Sequence, residues 1–132
     1  MISKQDKEDA KNFAIKAAKI AADRHCSDIV AMDLKGMSPA TDFFLIATGT
    51  SSRQTRAVAE EIVAEGKKCG FMPFGRAGLE TGKWILIDFV DVVIHIFDAE
   101  SREYYDLELL WGDAERLELK GLYTNETSNS DN

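Results

Sequence analysis

A single α/β domain, a mixed β-sheet flanked by helices, is the fold class the sequence predicts, and three observations carry it. The chain has 132 residues, a length that suits one domain and lets it bury roughly two thirds of the surface its unfolded form exposes. Segments of helical period alternate with short, nearly continuous apolar runs in the order α-β-β-α-β-β-α. No internal repeat interrupts that order. Residues 1–118 make up the domain on this reading. Residues 119–132, which include "TNETSNSDN", have the polar, core-less composition of a disordered tail.

Residues 3–25 are predicted to open the chain as a helix, with Ser3 as its cap and Asp6 supporting the first turn. Ala10, Phe13, Ala14, Ala17, Ala18 and Ala21 recur at three- and four-residue steps and form a small-residue face suited to close packing on a sheet. "DIVAMDL" (28–34) reads as a strand covered on both sides. "KGMSPATD" (35–42) carries Gly36 and Pro39 and reads as a loop. "FFLIATG" (43–49) is a second strand of the buried type. From 50 to 70 the period turns helical through Val58, Ile62 and Cys69, and Ser51 with Gln54 fits a capping box. Gly66 is expected to weaken the last turns by roughly 1 kcal/mol relative to alanine. Residues 71–82, with Pro73 and three glycines, read as irregular. "KWILIDF" (83–89) and "DVVIHIF" (91–97) are strands joined by a tight antiparallel hairpin about Val90. Residues 98–117 start as a helix capped by Asp98 and break near Gly112.

The charge balance bears on partners. A net charge of −7 repels phosphate backbones, which are held by clustered Lys and Arg. There is no arginine-rich stripe and no interleaving of aromatic with basic residues, so direct nucleic-acid binding is not expected. A basic protein is the better electrostatic match. No apolar run approaches the ~20 residues that span a bilayer, and "MISKQDKEDAKNF" lacks the apolar centre of a secretory signal. The expectation is a cytoplasmic protein. Cys26 and Cys69 lie far apart without a CxxC pair, and His25 and His95 do not complete a zinc ligand set. Neither metal nor cofactor is expected, and the thiols read as reduced and partly buried.

Three places could carry chemistry. In "ATGTSSRQTRAV" (47–58) a strand ends at Gly49 and runs straight into a helix N-terminus, where amides and the dipole favour an anion. Thr50, Ser51 and Arg53, with Thr48 and Ser52, could add hydroxyls and a guanidinium. The stretch is neither GxxxxGK[ST] nor GxGxxG, and capping the helix is the commoner use of such a turn. A nucleotidyltransferase would also need two or three acids converging on magnesium. Asp88 and Asp91 bracket the hairpin turn without sharing one strand face as a DxD pair would, Asp33 does not complete the set, and turn aspartates commonly bond nearby backbone amides. His95 shares a strand face with Asp91, Val93 and Phe97 if the strand is regular, which invites a general base. No supported nucleophile accompanies it, and a histidine satisfied by a hydrogen bond near the sheet is the favoured account.

The third place is "YYDLELLWGDAERLEL" (104–119). Tyr104, Leu107 and Trp111 fall on one helical side with Leu110, within a crowd of aspartates and glutamates. Part of that stripe belongs to the core, yet acids around Trp and Tyr have the character of an interface anchor with a charged rim. Trp84 heads a strand after a glycine-rich, flexible approach and adds a second anchor.

Taken together, "DIVAMDLKGMSPATDFFLIATGTSSRQTRAVAEEI", "KWILIDFVDVVIHIF" and "REYYDLELLWGDA" resemble the ribosomal silencing factor (Iojap-like) family, over about residues 5 to 115. The resemblance implies a nucleotidyltransferase-like α/β fold without the catalytic carboxylates, and a non-enzymatic, cytoplasmic homodimer. It further implies binding to large-subunit ribosomal protein fourteen, a steric block to joining of the ribosomal subunits, and in some members a part in large-subunit maturation. Trp84, which opens "WILIDF", is the residue the resemblance places against the ribosomal protein. Asp88 and Asp91 in "DFVD", and Tyr105, Leu107, Leu110 and Trp111 in "YYDLELLW", stand at other characteristic positions. Many relatives have glycine where this chain has Val90, and Glu-Gly where it has Ala77-Gly78.

Overall fold

The computed structural model describes residues 4–104 and 112–119 of the chain. Helix α1 spans Lys4–Asp23, and Ser3, its expected cap, lies outside the described residues. The predicted alanine face is its buried face: Ala10, Phe13, Ala14, Ala17, Ala18 and Ala21 are all 0–1% exposed. The helix stops in a Schellman arrangement. Cys26 N–H donates to Ala21 O (2.9 Å) and His25 N–H to Ala22 O (3.0 Å), with His25 at φ 69° in the left-handed position usually given to glycine. His25 is thus placed by the helix end.

Helix α2, Ser52–Lys68, starts at the predicted cap, where Ser51 Oγ accepts from Gln54 N–H (3.1 Å). The other half of the capping box is redirected. The Gln54 carboxamide oxygen accepts from Thr50 N–H, and its nitrogen donates to Arg24 O (2.6 Å), tying the start of α2 to the end of α1. Near the C-terminal end, Gly66 is where three aromatic residues close in. A Cβ there would stand 2.9 Å from the Phe89 ring, 3.0 Å from Phe71 O and 3.1 Å from the Phe13 ring. Phe13 stacks on Phe71 (centroids 4.9 Å) and meets Phe89 edge-on (4.8 Å). The glycine that costs helix propensity is what lets α2 sit this close to α1 and the sheet.

The sheet has six strands in the order β3-β4-β5-β2-β1-β6. They are β1 (Ser27–Asp33), β2 (Phe43–Gly49), β3 (Gly75–Ala77), β4 (Trp84–Asp88), β5 (Val92–Asp98) and β6 (Glu115–Arg116), with α3 (Ala99–Tyr104) between β5 and β6. β2 and β5 run parallel, while the other neighbours are antiparallel, so the sheet is mixed as predicted. Two strands depart from the sequence reading. β3 lies inside the stretch read as irregular, and β6 lies inside the stretch read as a broken helix. Both are edge strands of two or three residues that need only backbone pairing, and backbone pairing leaves no side-chain period to read. Asp98 caps α3 as expected, accepting from Ser101 N–H (2.7 Å).

The hairpin between β4 and β5 is tight. Phe89 N–H donates to Val92 O (2.9 Å) and Asp91 N–H to Phe89 O (3.0 Å), which leaves Val90 at the centre of a γ-turn with φ 75°. That hand of γ-turn is rare and strained, the more so for a β-branched side chain. Val90 is 52% exposed, so packing returns little for it.

Burial separates the two faces of the sheet. On the side of α1 and α2, Ala31, Phe43, Leu45, Ile85, Ile87, Val92, Ile94 and Ile96 are 0–1% exposed and form one core with the helices. A smaller cluster of Met32, Leu34, Ile46, Phe97 and Ala114 occupies the other side. The chain at 112–119 wraps the β1 edge between them: Ala114 joins the smaller cluster, while Leu117 donates its N–H to Ala31 O (2.8 Å) and packs with Leu119 on the larger one. An otherwise open sheet edge is covered there.

Two substitutions test these packing arguments by urea unfolding. Gly66→Ala is expected to destabilise by about 1–2 kcal/mol, because overpacking against buried rings outweighs the gain in helix propensity. Val90→Gly is expected to stabilise by about 1 kcal/mol, since relief of left-handed strain exceeds the added chain entropy of glycine.

Candidate partner-binding face

The sheet face away from α1 and α2 is the feature on which the candidate residues gather. Strand β4 alternates cleanly, with Ile85 and Ile87 buried beneath the helices and Trp84, Leu86 and Asp88 partly buried on the opposite side. Pairing extends that side across the sheet: Trp84 faces Phe97, Leu86 faces His95 and Asp88 faces Val93, and beyond β5, His95 lies beside Ile46 and Val93 beside Phe44. Val30, Phe44, Trp84, Leu86 and Val93 are all partly buried here, while their counterparts on the helix side are sealed. The strands predicted to be buried, β1 and β2, are covered on both sides at Ala31 and Met32 and at Leu45 and Ile46, with Val30 and Phe44 partly buried, whereas β4 and β5 leave Trp84, Leu86 and Val93 partly buried on the side away from the helices. Among the described residues, α3 meets this face at one end, where Arg102 donates to Thr48 Oγ1 (2.8 Å).

Trp84 is held at the head of β4 by its neighbours. The loop before it, read from sequence as a flexible approach, is tied to α2: Arg56 donates to Leu79 O (2.7 Å) and to Glu80 O, and Thr55 Oγ1 donates to Gly82 O (3.0 Å). The indole stacks on Phe97 (centroids 4.9 Å, 28° between planes), a cross-strand aromatic pair of the kind that contributes to sheet stability. Its Nε1–H donates to His95 Nδ1 (3.1 Å). His95 is 4% exposed, and burial pushes its pKa down to about 4, so the imidazole is neutral near pH 7. Because an indole N–H only donates, Nδ1 is the bare nitrogen and Nε2 carries the proton. Nε2 is buried with no hydrogen-bond partner among the described residues. The expected hydrogen bond to this histidine is present on one nitrogen, and the indole takes up the nitrogen a general base would use. Asp91, placed on its strand face by the sequence reading, precedes β5 in the turn.

Asp88 and Asp91 flank that turn. The Asp88 carboxylate accepts from Val90 N–H (2.7 Å) and its carbonyl from Phe74 N–H (2.6 Å). The Asp91 carbonyl accepts from Asp42 and Phe43 N–H (3.1 and 3.0 Å). Both thus have backbone roles at the rim of the face. Among the described residues, no group of three or more His, Cys, Asp and Glu is placed to hold a metal ion. Tyr104 is 78% exposed, whereas Tyr105, Leu107, Leu110 and Trp111 lie outside the described residues.

Thr50, Ser51 and Arg53 come together with Arg24, His25 and Asp23 around a cleft at the start of α2. Two amides there serve the fold itself, since Thr50 N–H bonds to the Gln54 side chain and Gln54 N–H to Ser51 Oγ. Gly49 has a packing reason as well: a Cβ on it would stand 2.6 Å from Thr55 Cγ2. The free thiols differ in setting. Cys26 is buried, with its pKa raised to about 11 by desolvation, while Cys69 is partly exposed at the end of α2. Among the described residues, no helix is long and apolar enough to cross a membrane.

Sequence reasoning singled out Trp84 and did not group Val30, Phe44, Leu86 and Val93 with it. Uninterrupted apolar runs hide which parity faces the helices, and the alternation in β4 becomes visible only once the burial of Ile85 and Ile87 is known.

Fold and face together define a one-domain α/β protein with a mixed six-stranded sheet, one side of which presents aromatic and aliphatic groups beside acids. The family model described as "Ribosomal silencing factor during starvation" matches residues 7–132. The chain is 41% identical over 106 residues to ribosomal silencing factor RsfS of Halalkalibacterium halodurans, covering 80% of this chain and 91% of that one. It is 46% identical over 85 residues to the Haemophilus influenzae protein of the same name, covering 64% and 83%. A crystal structure of a Chromobacterium violaceum protein superposes with a TM-score of 0.72 at 34% identity, covering 80% of this chain and 85% of that one. The chain belongs to the ribosomal silencing factor family.

The buried histidine gives a pH test. An unfolded histidine titrates near 6.5 and the folded one near 4, so between those values the unfolded state binds more protons and stability falls as pH drops. His95 is expected to withdraw on the order of 3 kcal/mol across that window. Urea titrations at pH 7 and pH 4 on the protein and on His95→Leu isolate this part, with the variant losing less stability on acidification.

Proposed function

We propose that this chain represses translation by docking on the large ribosomal subunit through ribosomal protein fourteen, where its bulk blocks joining of the small subunit. The observation that carries the reading is the incompletely covered apolar face centred on Trp84, with Asp88 at its rim, in a protein of net charge −7. A large aromatic anchor bordered by acids fits a basic protein surface, with opposite fields guiding encounter and the buried ring supplying affinity. The names of the relatives point the same way, as silencing factors of the ribosome. Occupying a docking surface needs no bond to be made or broken, so the reading is of a regulator without enzymatic activity, working in the cytoplasm where subunits meet. In this reading Asp88, Asp91, Tyr105, Leu107, Leu110 and Trp111 take part in the binding as well. The free protein is a homodimer in this reading, which its mass by light scattering checks.

Purified protein added to isolated subunits is expected to lower the fraction sedimenting as joined ribosomes, and to co-sediment with mature large subunits. Unchanged joining at saturating protein would falsify the block. Trp84→Ala is expected to weaken that co-sedimentation by about 2 kcal/mol, the scale of an interface hot spot. Calorimetry with nucleotides and magnesium separates this reading from a nucleotide-binding enzyme at Thr50, Ser51 and Arg53: the expected result is no heat of binding.

A further inference from the structure

We infer that His95 is a positioning residue for partner binding, its Nδ1 fixing the Trp84 indole in the orientation that the partner meets. The inference rests on the reading of this face as the docking surface. It comes from what the imidazole does and does not satisfy.

His95 sits on β5 between Leu86 and Ile46, with Phe44 tilted against it (centroids 4.8 Å) and Phe97 parallel to it (6.2 Å, 9°). Such surroundings suit an apolar side chain. The histidine instead leaves a buried N–H at Nε2 without a hydrogen-bond partner among the described residues, an arrangement that destabilises a fold. A leucine would fill much the same space without that penalty. The imidazole adds one thing a leucine lacks, an acceptor for Trp84 Nε1–H at 3.1 Å.

That acceptor settles something stacking leaves open. Phe97 sets the plane of the indole, but a stacked ring can still turn within its plane or flip about its side-chain torsions. Anchoring the N–H edge to His95 adds a directional restraint on the indole that stacking alone does not supply. An aromatic anchor held in its bound orientation gives up less rotamer freedom on association. Burial supports the device, because it keeps His95 neutral and Nδ1 available at every pH above about 4.

The proposal sets stability and affinity moving in different directions, which a merely structural residue would not do. At neutral pH, His95→Leu removes the orphaned N–H and is expected to unfold at or above the wild-type temperature, while its co-sedimentation with large ribosomal subunits weakens roughly three- to tenfold, the cost of ordering one side chain on association. His95→Asn places an amide oxygen where Nδ1 stood and is expected to recover most of the affinity. The Trp84 indole N–H resonance, assigned by its loss in Trp84→Phe, is expected to move upfield in His95→Leu and return toward its place in His95→Asn. In the Trp84→Phe background, His95→Leu is expected to cost no further affinity. Equal affinity of wild type and His95→Leu, or an equal loss from His95→Leu in both backgrounds, overturns the positioning role and leaves the docking face standing. If Trp84→Phe and Trp84→Ala both bind large subunits as wild type does, the docking face itself is wrong and this role falls with it.

Discussion

Close approach of the helices to one side of the sheet is the constraint from which the rest of the structure follows. The buried face of α1 is made of alanines around a single phenylalanine, Phe13, and side chains that small let a helix lie near a sheet. α2 needs the same proximity and gets it at Gly66, where the rings of Phe13 and Phe89 and the carbonyl of Phe71 occupy the space a methyl group would take. The rows of Ile, Leu and Phe from β2, β4 and β5 complete that side and are sealed. A core packed this tightly on one face fixes which parity of each strand points inward, and so which side chains are carried to the opposite face.

What reaches the opposite face is more apolar than a solvent-facing sheet surface needs. An exposed antiparallel strand ordinarily alternates apolar with polar residues, yet on this face β4 places Trp84 and Leu86 and β5 places Val93, all partly buried, beside the buried Phe97. The turn joining these strands adds two aspartates and a strained valine, so the face ends in acid at one side. Its aromatic groups form a connected set, from Phe44 through His95 and Phe97 to Trp84. Ring contacts of this kind restrict the rotamers of the side chains that make them.

The features that look enzymatic in the sequence take other parts in the fold. The Gly-Thr-Ser turn brings β2 against α2 through Gly49 and caps the helix through Ser51. His25 occupies the left-handed end of α1, and His95 accepts from an indole where catalysis would need a free base. Asp88 steadies the hairpin by bonding Val90 N–H. Glycines, capping hydroxyls and turn aspartates meet backbone requirements first, which is why a short motif of them says little about chemistry until its partners are known.

The amino-acid sequence by itself determined the order of the larger elements, the buried stripe of α1, the cap of α2, the cap of α3 and the tight hairpin about Val90. Each depends on residues within a few positions of one another, where spacing and side-chain type are sufficient. It also singled out Trp84, in "WILIDF", and Asp88, in "DFVD". Only the tertiary structure decided that β3 and β6 exist, that residues 112–119 wrap the β1 edge, that Gly66 is a point of close packing, and that Val30, Phe44, Leu86 and Val93 share one face with Trp84. Those facts come from backbone pairing and from contacts between segments far apart in the chain. Such contacts impose no local period, so no window of sequence carries their trace.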